Sequence, residues 1–422
     1  MSVAEDKLQR SSAPALRDPT LPRRVMLVLQ STSVGGMETH CVDIAAELVH
    51  RGVGVIAIVP ESDRFADLSA RFLRAGAHVQ RLDTDGRRGR AKQARRLLGF
   101  GQICMRWRPD VVHVHTGGAT GGLAVVLSAR YAAGAMAVIT EHDVPVESPS
   151  RHQRLARWTM DRQAHAIIAV SKRNARLRAD RLATPPHKLV SILNGVPVEK
   201  VSQDTRTRNR REIRAEMGIE SQTVVLGSLV RLAEGKGLHD LLRAFAIANV
   251  ASSKLLLIGD GPLRAGLEAL AAELGIAAEV RFAGHRAEPA PYLDAMDAFV
   301  LAVPAGSMSV ALLEAMARGL PPVITFCGPE EPVLDGVTGL CAPPSDPGGL
   351  AIVLRRLLAD ADLRESLGRG AAAHTRRKFS IERVVDDLAE LYGGGRHGVP
   401  ARLRANSSPG GDRECGPGQV SP

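Results

Sequence analysis

From Arg24 onward the chain alternates short β-branched runs with longer amphipathic stretches, and it does so twice. In the first half the strand-like runs are Val25–Gln30, Val53–Val59, Ala77–Arg81, Val111–His115, Ala135–Thr140, Ala166–Val170 and Leu189–Leu193. Helical periodicity fills the gaps, notably over Met37–His50, Gln93–Trp107 and Gln153–Arg162. In the second half strands are expected at Thr223–Leu229, Lys254–Ile258, Glu279–Ala283, Ala298–Ala302, Pro322–Thr325 and Gly339–Cys341. Helices near Pro347–Asp360, Asp362–Lys378 and Ile381–Tyr392 close that half. Strands separated by helices of ten or more residues are βαβ units, so each half predicts a parallel sheet with right-handed crossovers. The expected fold class is α/β, with two tandem doubly wound Rossmann-like domains. In such sheets a ligand sits beyond the carboxyl ends of the strands, and two of them face to face enclose a deep cleft.

A chain of 422 residues suits two domains. The pattern divides it into a disordered segment at 1–20, a first domain at 21–196, a linker at 197–221, a second domain at 222–378, a closing helix at 379–393 and a disordered tail at 394–422. The linker includes the charge run RTRNRREIR, expected as a solvated helix.

Apolar content of 45% with 24% charged residues marks a globular chain. The first residues, MSVAEDKLQRSSAP, lack the apolar core of a signal peptide. The longest apolar stretch, Gly117–Thr140, is broken by Arg130 and by glycines, so it is a poor membrane span. Five cysteines without a Cys-x-x-Cys spacing point to reduced thiols and a cytoplasmic protein. The net charge of +10 calls for anionic partners, but aromatic content of 3% leaves few stacking side chains for single-stranded nucleic acid. Phosphorylated substrates and an anionic membrane surface fit better. RRGRAKQARR (Arg87–Arg96) with the following Leu97, Leu98, Phe100, Ile103 and Trp107 is a basic helix with an apolar side, suited to the inner face of such a membrane or simply to packing on the sheet.

The stretch GSLVRLAEGKG (Gly227–Gly237) concentrates the chemistry. A strand empties through a loop holding Arg231 and Lys236 into a helix, whose free N–H groups and dipole add to the two cations. That combination suits a diphosphate. Other strand-end loops carry groups of the right kind. Gly35 and Gly36 precede a helix and let backbone approach a ligand. His113 and His115 lie on the HVHT strand, with His115 at its end, and TEHD (Thr140–Asp143) follows the same logic. GSMSVALLEAMARGLPPVIT (Gly306–Thr325) leads a small polar loop into a helix bearing Glu314 among apolar neighbours, where a carboxylate needs a partner such as a ribose diol.

Two patterns are decoys. Gly259-Asp260-Gly261-Pro262 lacks the third glycine of a dinucleotide fingerprint, which disfavours a nicotinamide dehydrogenase. Asp83-Thr84-Asp85 has no supporting carboxylate for a metal, and no His/Cys cluster has metal-ligand spacing, so no metal or cofactor is expected.

Taken together, the segments from about Arg24 to Tyr392 resemble the retaining glycosyltransferases of family 4, which have the GT-B fold. The likeness is carried by GGME (Gly35–Glu38), PDVVHVHT (Pro109–Thr116), AVSK (Ala169–Lys172), ILNGV (Ile192–Val196), the Arg231/Lys236 loop, LLLIGDGPLR from Leu255, VRFAGH from Val280, LLEAMARGLPPVIT from Leu312 and EPVLDGVTGL from Glu331. The resemblance implies an N-terminal acceptor domain and a C-terminal nucleotide-sugar domain. It implies that Arg231 and Lys236 neutralise the donor diphosphate, that Glu314 holds the ribose, that Gly35 and Gly36 bring N–H groups to the phosphates, and that His115 lies near the donor sugar. Ser309 and Gly261 fall at donor-side positions of the same motifs. The donor would be a UDP- or GDP-sugar, the acceptor a glycan, a lipid-linked sugar or another glycoconjugate, and the anomeric configuration would be kept without a metal ion.

One position departs from the pattern. The family's Glu-x7-Glu motif places its first acid eight residues before Glu314, where this chain has Gly306. The departure opens an alternative: a catalytically impaired GT-B protein that binds nucleotide-sugar or partners another transferase. Cys327, where the family often has glycine, is a second and smaller change.

Overall fold

The computed structural model describes residues 18–82, 90–117, 122–143, 150–182, 184–198, 202–304, 308–325, 332–394 and 399–405, with backbone alone over 90–97. In chain order the first half runs β1 (Arg24–Gln30), α1 (Gly36–His50), β2 (Gly54–Pro60), α2 (Ala66–Arg74), β3 (His78–Leu82), α3 (Arg90–Trp107), β4 (Val111–Thr116), α4 (Leu123–Ala132), β5 (Met136–Glu141), α5 (Arg151–Gln163), β6 (Ala166–Ala169), α6 (Lys172–Leu182) and β7 (Leu189–Ser191). The second half runs α7 (Gln203–Glu216), β8 (Val224–Leu229), α8 (Leu238–Ala248), β9 (Ser253–Ile258), α9 (Arg264–Glu273), β10 (Val280–Gly284), α10 (Ala290–Asp294), β11 (Ala298–Leu301), α11 (Val310–Ala317), β12 (Pro322–Ile324), β13 (Leu340–Cys341), α12 (Pro347–Ala359), α13 (Ala361–Lys378), α14 (Ile381–Gly393) and α15 (Ala401–Ala405).

The strands form two sheets, β3-β2-β1-β4-β5-β6-β7 and β10-β9-β8-β11-β12-β13. Every pairing between neighbouring strands is parallel. Each sheet reverses its order beside its first strand, so each has a switch point, at β1/β4 and at β8/β11. The central strands are buried on both faces, which is why they read as continuous apolar runs. Apolar clusters cover both faces of each sheet. The expected two-domain α/β fold is the one observed.

Three features differ from the sequence reading. First, α14 does not close the second domain. Its apolar stripe of Ile381, Val384, Val385, Leu388 and Leu391 completes the core of the first domain beneath α1. The chain crosses back beside its outward passage, where Val196 bridges Ser380 and exchanges hydrogen bonds with Phe379 and Ile381. The part of the expected disordered tail that is described is also ordered. Val399 and Leu403, at and after the start of that segment, are buried in the same core.

Second, the charge run of α7 is docked and not solvated. Arg206, Arg210 and Arg214, spaced four apart, lie along one face of the helix. Arg210 and Arg214 meet the two oxygens of Asp297 at 2.6 and 2.7 Å, and Arg206 lies 3.6 Å from Asp294. Ile213 and Ile219 join the second core, so α7 belongs to the second domain. Third, Cys41 and Cys104 are free and buried, but Cys341 is disulfide-bonded, against the expectation of reduced thiols throughout.

Candidate active site

The carboxyl ends of the two sheets face each other across a cavity of about 550 Å³, within the size range of small-ligand sites. Its walls come from both domains: Ser31, Gly35, Gly36, Glu38, His142, Asp143 and Asn194 from the first, and Arg231, Lys236, Met308 and Ser309 from the second. Asn194 Nδ2 donates to the Met308 carbonyl at 2.9 Å and ties the two walls together.

Arg231 and Lys236 both line this cavity. Their loop is held by backbone. Val230 N–H donates to the Ile258 carbonyl, Leu232 N–H to the Asp260 carbonyl, and Leu263 N–H back to the Leu232 carbonyl. Gly261 serves this clamp: at φ +159° a Cβ there would stand 2.3 Å from the Leu232 carbonyl oxygen. It supports the cation loop from behind and does not line the cavity. Gly237 has the same character at the N-cap of α8, where φ is +66° and a Cβ would meet the Ala302 carbonyl oxygen at 1.8 Å. Among the described residues neither Arg231 nor Lys236 belongs to an ion pair, although both attract Asp143 across the cleft. Burial pushes the Asp143 carboxyl up, and the two cations pull it down.

Two helix N-termini open on the same space. Gly35 caps α1, and the Glu38 carboxylate accepts its N–H at 2.7 Å. Burial pushes the Glu38 carboxyl up against that bond. On the facing wall Ser309 caps α11, accepting the Leu312 N–H. Both dipole ends add positive potential to that of the two cations.

Val310 and Ala311, a turn before Glu314, line the cavity, and Glu314 does not. It is half-buried between the domains, where Arg71 attracts it and Asp43 of α1 shares its surroundings. Burial raises the Glu314 carboxyl to about 7 and, with Glu314 as a second cause, the Asp43 carboxyl to about 7 as well. The position of the missing acid, Gly306, lies outside the described residues, as do Cys327, Asp83, Thr84, Asp85 and the first three residues of the basic run Arg87–Arg96, of which 90–96 are described as helix backbone alone.

The histidines form a layer under the first wall. His113 has both ring nitrogens bonded, to the Tyr392 hydroxyl and to Thr140 Oγ1, each at 2.7 Å. His115 is fully buried, with Nδ1 3.1 Å from Nε2 of His142, and only His142 reaches the cavity. His115 therefore stands behind His142. His40 Nδ1 bonds the Gly195 carbonyl at 2.9 Å. Burial pushes all four imidazoles down, His40 to about 4 and His113 to about 3, so each is neutral. The layer brings the ligand atoms of Cys41, His115 and His142 within 4.8 Å of one another. Sequence spacing gave no sign of this grouping, because the three residues come from α1, the end of β4 and the turn after β5. Asp143 and Asn194 lie in the TEHD and ILNGV segments named from the sequence, but neither carries a role of its own until the loops of the two domains meet.

Two opposed parallel-sheet domains, with a cationic loop and two helix N-termini on the cleft between them, define the GT-B glycosyltransferase fold. The structure of Anabaena HepE in complex with UDP and glucose superposes with a TM-score of 0.74 at 20% identity, covering 88% of this chain and all of that one. Residues 34–200 match the family model described as Glycosyltransferase Family 4, and residues 221–360 the one described as Glycosyl transferases group 1, so both domains are glycosyltransferase domains. The lipopolysaccharide core biosynthesis glycosyltransferase LpsE of Rhizobium meliloti is 34% identical over 42% of this chain, which spans about half of LpsE's length (52%). A D-inositol 3-phosphate glycosyltransferase of Geodermatophilus obscurus is 28% identical over 88% of this chain and 89% of its own. Among the described residues no helix is long and apolar enough to cross a membrane.

Proposed function

We propose that the chain transfers a sugar from a nucleoside-diphosphate sugar to a glycan, glycolipid or other glycoconjugate acceptor, with retention of anomeric configuration. The observation that carries this reading is the convergence of Arg231, Lys236 and the N-termini of α1 and α11 on one interdomain cavity. Four sources of positive potential around one space suit a leaving diphosphate, whose charge grows as the glycosidic bond breaks. With that charge met by side chains and dipoles, the transfer step needs no metal ion. The sugar passes through an oxocarbenium-like state, and the departing phosphate oxygen takes the acceptor proton on the same face. Neutral His142, backed by His115, faces the sugar as a hydrogen-bonding group and not as a charge. Asp143 is an acid of the cleft wall held opposite the two cations, and it supplies the carboxylate that Gly306 lacks. The solved HepE complexes with UDP and with UDP-glucose support a nucleotide-sugar donor, and LpsE supports a saccharide acceptor.

The reading is tested by incubating the chain with UDP- and GDP-sugars and following nucleotide release with and without oligosaccharide or glycolipid acceptors. Acceptor-dependent release is expected with one nucleotide. Absence of both melting shift and release with every donor contradicts the proposal.

A further inference from the structure

Four imidazoles and a thiol sit together in a buried layer beneath the cleft. His113 uses both nitrogens, and His40 uses one on the Gly195 carbonyl. His115 Nδ1 and His142 Nε2 face each other at 3.1 Å, so either one donates to the other or both turn their lone pairs on a shared ion. The Cys41 thiol, also fully buried, completes the cluster.

We propose that Cys41, His115 and His142 form a binding site for one divalent transition metal ion of borderline softness, Zn²⁺. Two neutral imidazoles and a thiol are the N/S ligand set this ion selects over the hard cations. The 3.1 Å between the two ring nitrogens is close to the ~3.3 Å that two Zn–N bonds of about 2.0–2.1 Å span at a tetrahedral angle. The imidazoles are neutral before the ion arrives. Only Cys41 has to ionise, releasing one proton to solvent per ion bound. His113, held by Tyr392 and Thr140 and stacked 4.1 Å from the His115 ring, fixes the orientation of that ligand. The ion would join α1, the end of β4 and the turn after β5 directly behind the cavity wall.

The full chain, expressed without a histidine tag and stripped with chelator, is incubated separately with Zn²⁺ and with Co²⁺, then freed of loose ion by gel filtration. One retained equivalent of Zn²⁺ is expected. With Co²⁺ a near-ultraviolet thiolate-to-cobalt charge-transfer band is expected, absent from Cys41→Ser, together with a fall in Zn²⁺ affinity of at least about tenfold. No retained ion, or Co²⁺ bound by the wild-type chain without a charge-transfer band, overturns the proposal; the latter needs no variant and so stands even if Cys41→Ser misfolds. Unchanged Zn²⁺ affinity in a folded Cys41→Ser also overturns it, by placing the ion elsewhere. A ribose- or phosphate-independent result is expected throughout, which keeps this test separate from the donor assay.

Discussion

Gly36, at the start of α1, and Val310, at the start of α11, meet across the domain boundary: a Cβ built on Gly36 would stand 3.4 Å from Val310 Cβ. The absence of a side chain at Gly36 lets the two helix N-termini approach the same cavity. Gly36→Leu is therefore expected to wedge the domains apart and lower transfer by at least about tenfold, because a misplacement on the order of 1 Å at the reacting atoms has a large kinetic effect. Small-angle scattering should show a larger radius of gyration than wild type. An unchanged radius with full activity would remove closure at this point from the account.

The two cations make separable contributions. Arg231→Ala or Lys236→Ala should each lower donor turnover about 10²–10³-fold, the range for losing one group aimed at developing charge. Both sit at the cleft and support no core packing, so melting temperatures should stay within a degree or two of wild type. A loss of activity that tracked a loss of fold would instead assign them a structural role.

Asp143 is expected to matter through its charge. Asp143→Asn keeps shape and removes the carboxylate opposite Arg231 and Lys236, which should reduce kcat about 10–100-fold, matching a charged hydrogen bond of about 1.5–3 kcal/mol. Gly306→Glu, made in that background, should restore part of the loss. No recovery, with both variants folded, would separate the two positions.

Stability should fall as pH rises between about 4 and 7. In the unfolded chain Asp43 and Glu314 ionise near their ordinary values of 3.8 and 4.5, whereas in the fold both hold protons to about 7. The folded state therefore binds more protons across that window, and its stability drops with increasing pH. Glu314→Gln should flatten this dependence and raise the melting temperature at pH 8 relative to wild type. If Glu314 also reaches a donor ribose in the loaded enzyme, the same variant will weaken donor binding; a variant that is more stable and binds donor normally would leave it a purely structural acid.

Leu403 lies in a segment whose composition suggests a tail, but it is buried in the first domain's core. Leu403→Ala should destabilise by about 2–5 kcal/mol, as for other buried leucines. A denaturant midpoint equal to wild type would show that α15 does not dock in solution.

The strands were legible because parallel strands buried on both faces read as continuous apolar runs, and all of those expected are present within a residue or two. The cation loop was legible because local sequence fixes it: a strand, two basic residues and a glycine entering a helix. What sequence did not show depends on distant partners. The arginines of α7 read as solvated until Asp294 and Asp297 are placed opposite them. The amphipathic stripe of α14 fits either domain, and only the return crossing at Val196 and Ser380 assigns it. His115 matches its motif, but burial places His142 in front of it. Glu314 likewise matches its motif while turning toward Asp43 and Arg71.

Calorimetric titration of UDP and GDP into the wild-type chain and into the Arg231→Ala/Lys236→Ala double variant tests the diphosphate site most directly. Binding of one nucleotide by the wild type, weakened at least about a hundredfold in a folded double variant, is the predicted result. Equal affinity in both proteins, or no binding of either nucleotide to the wild type, would contradict it.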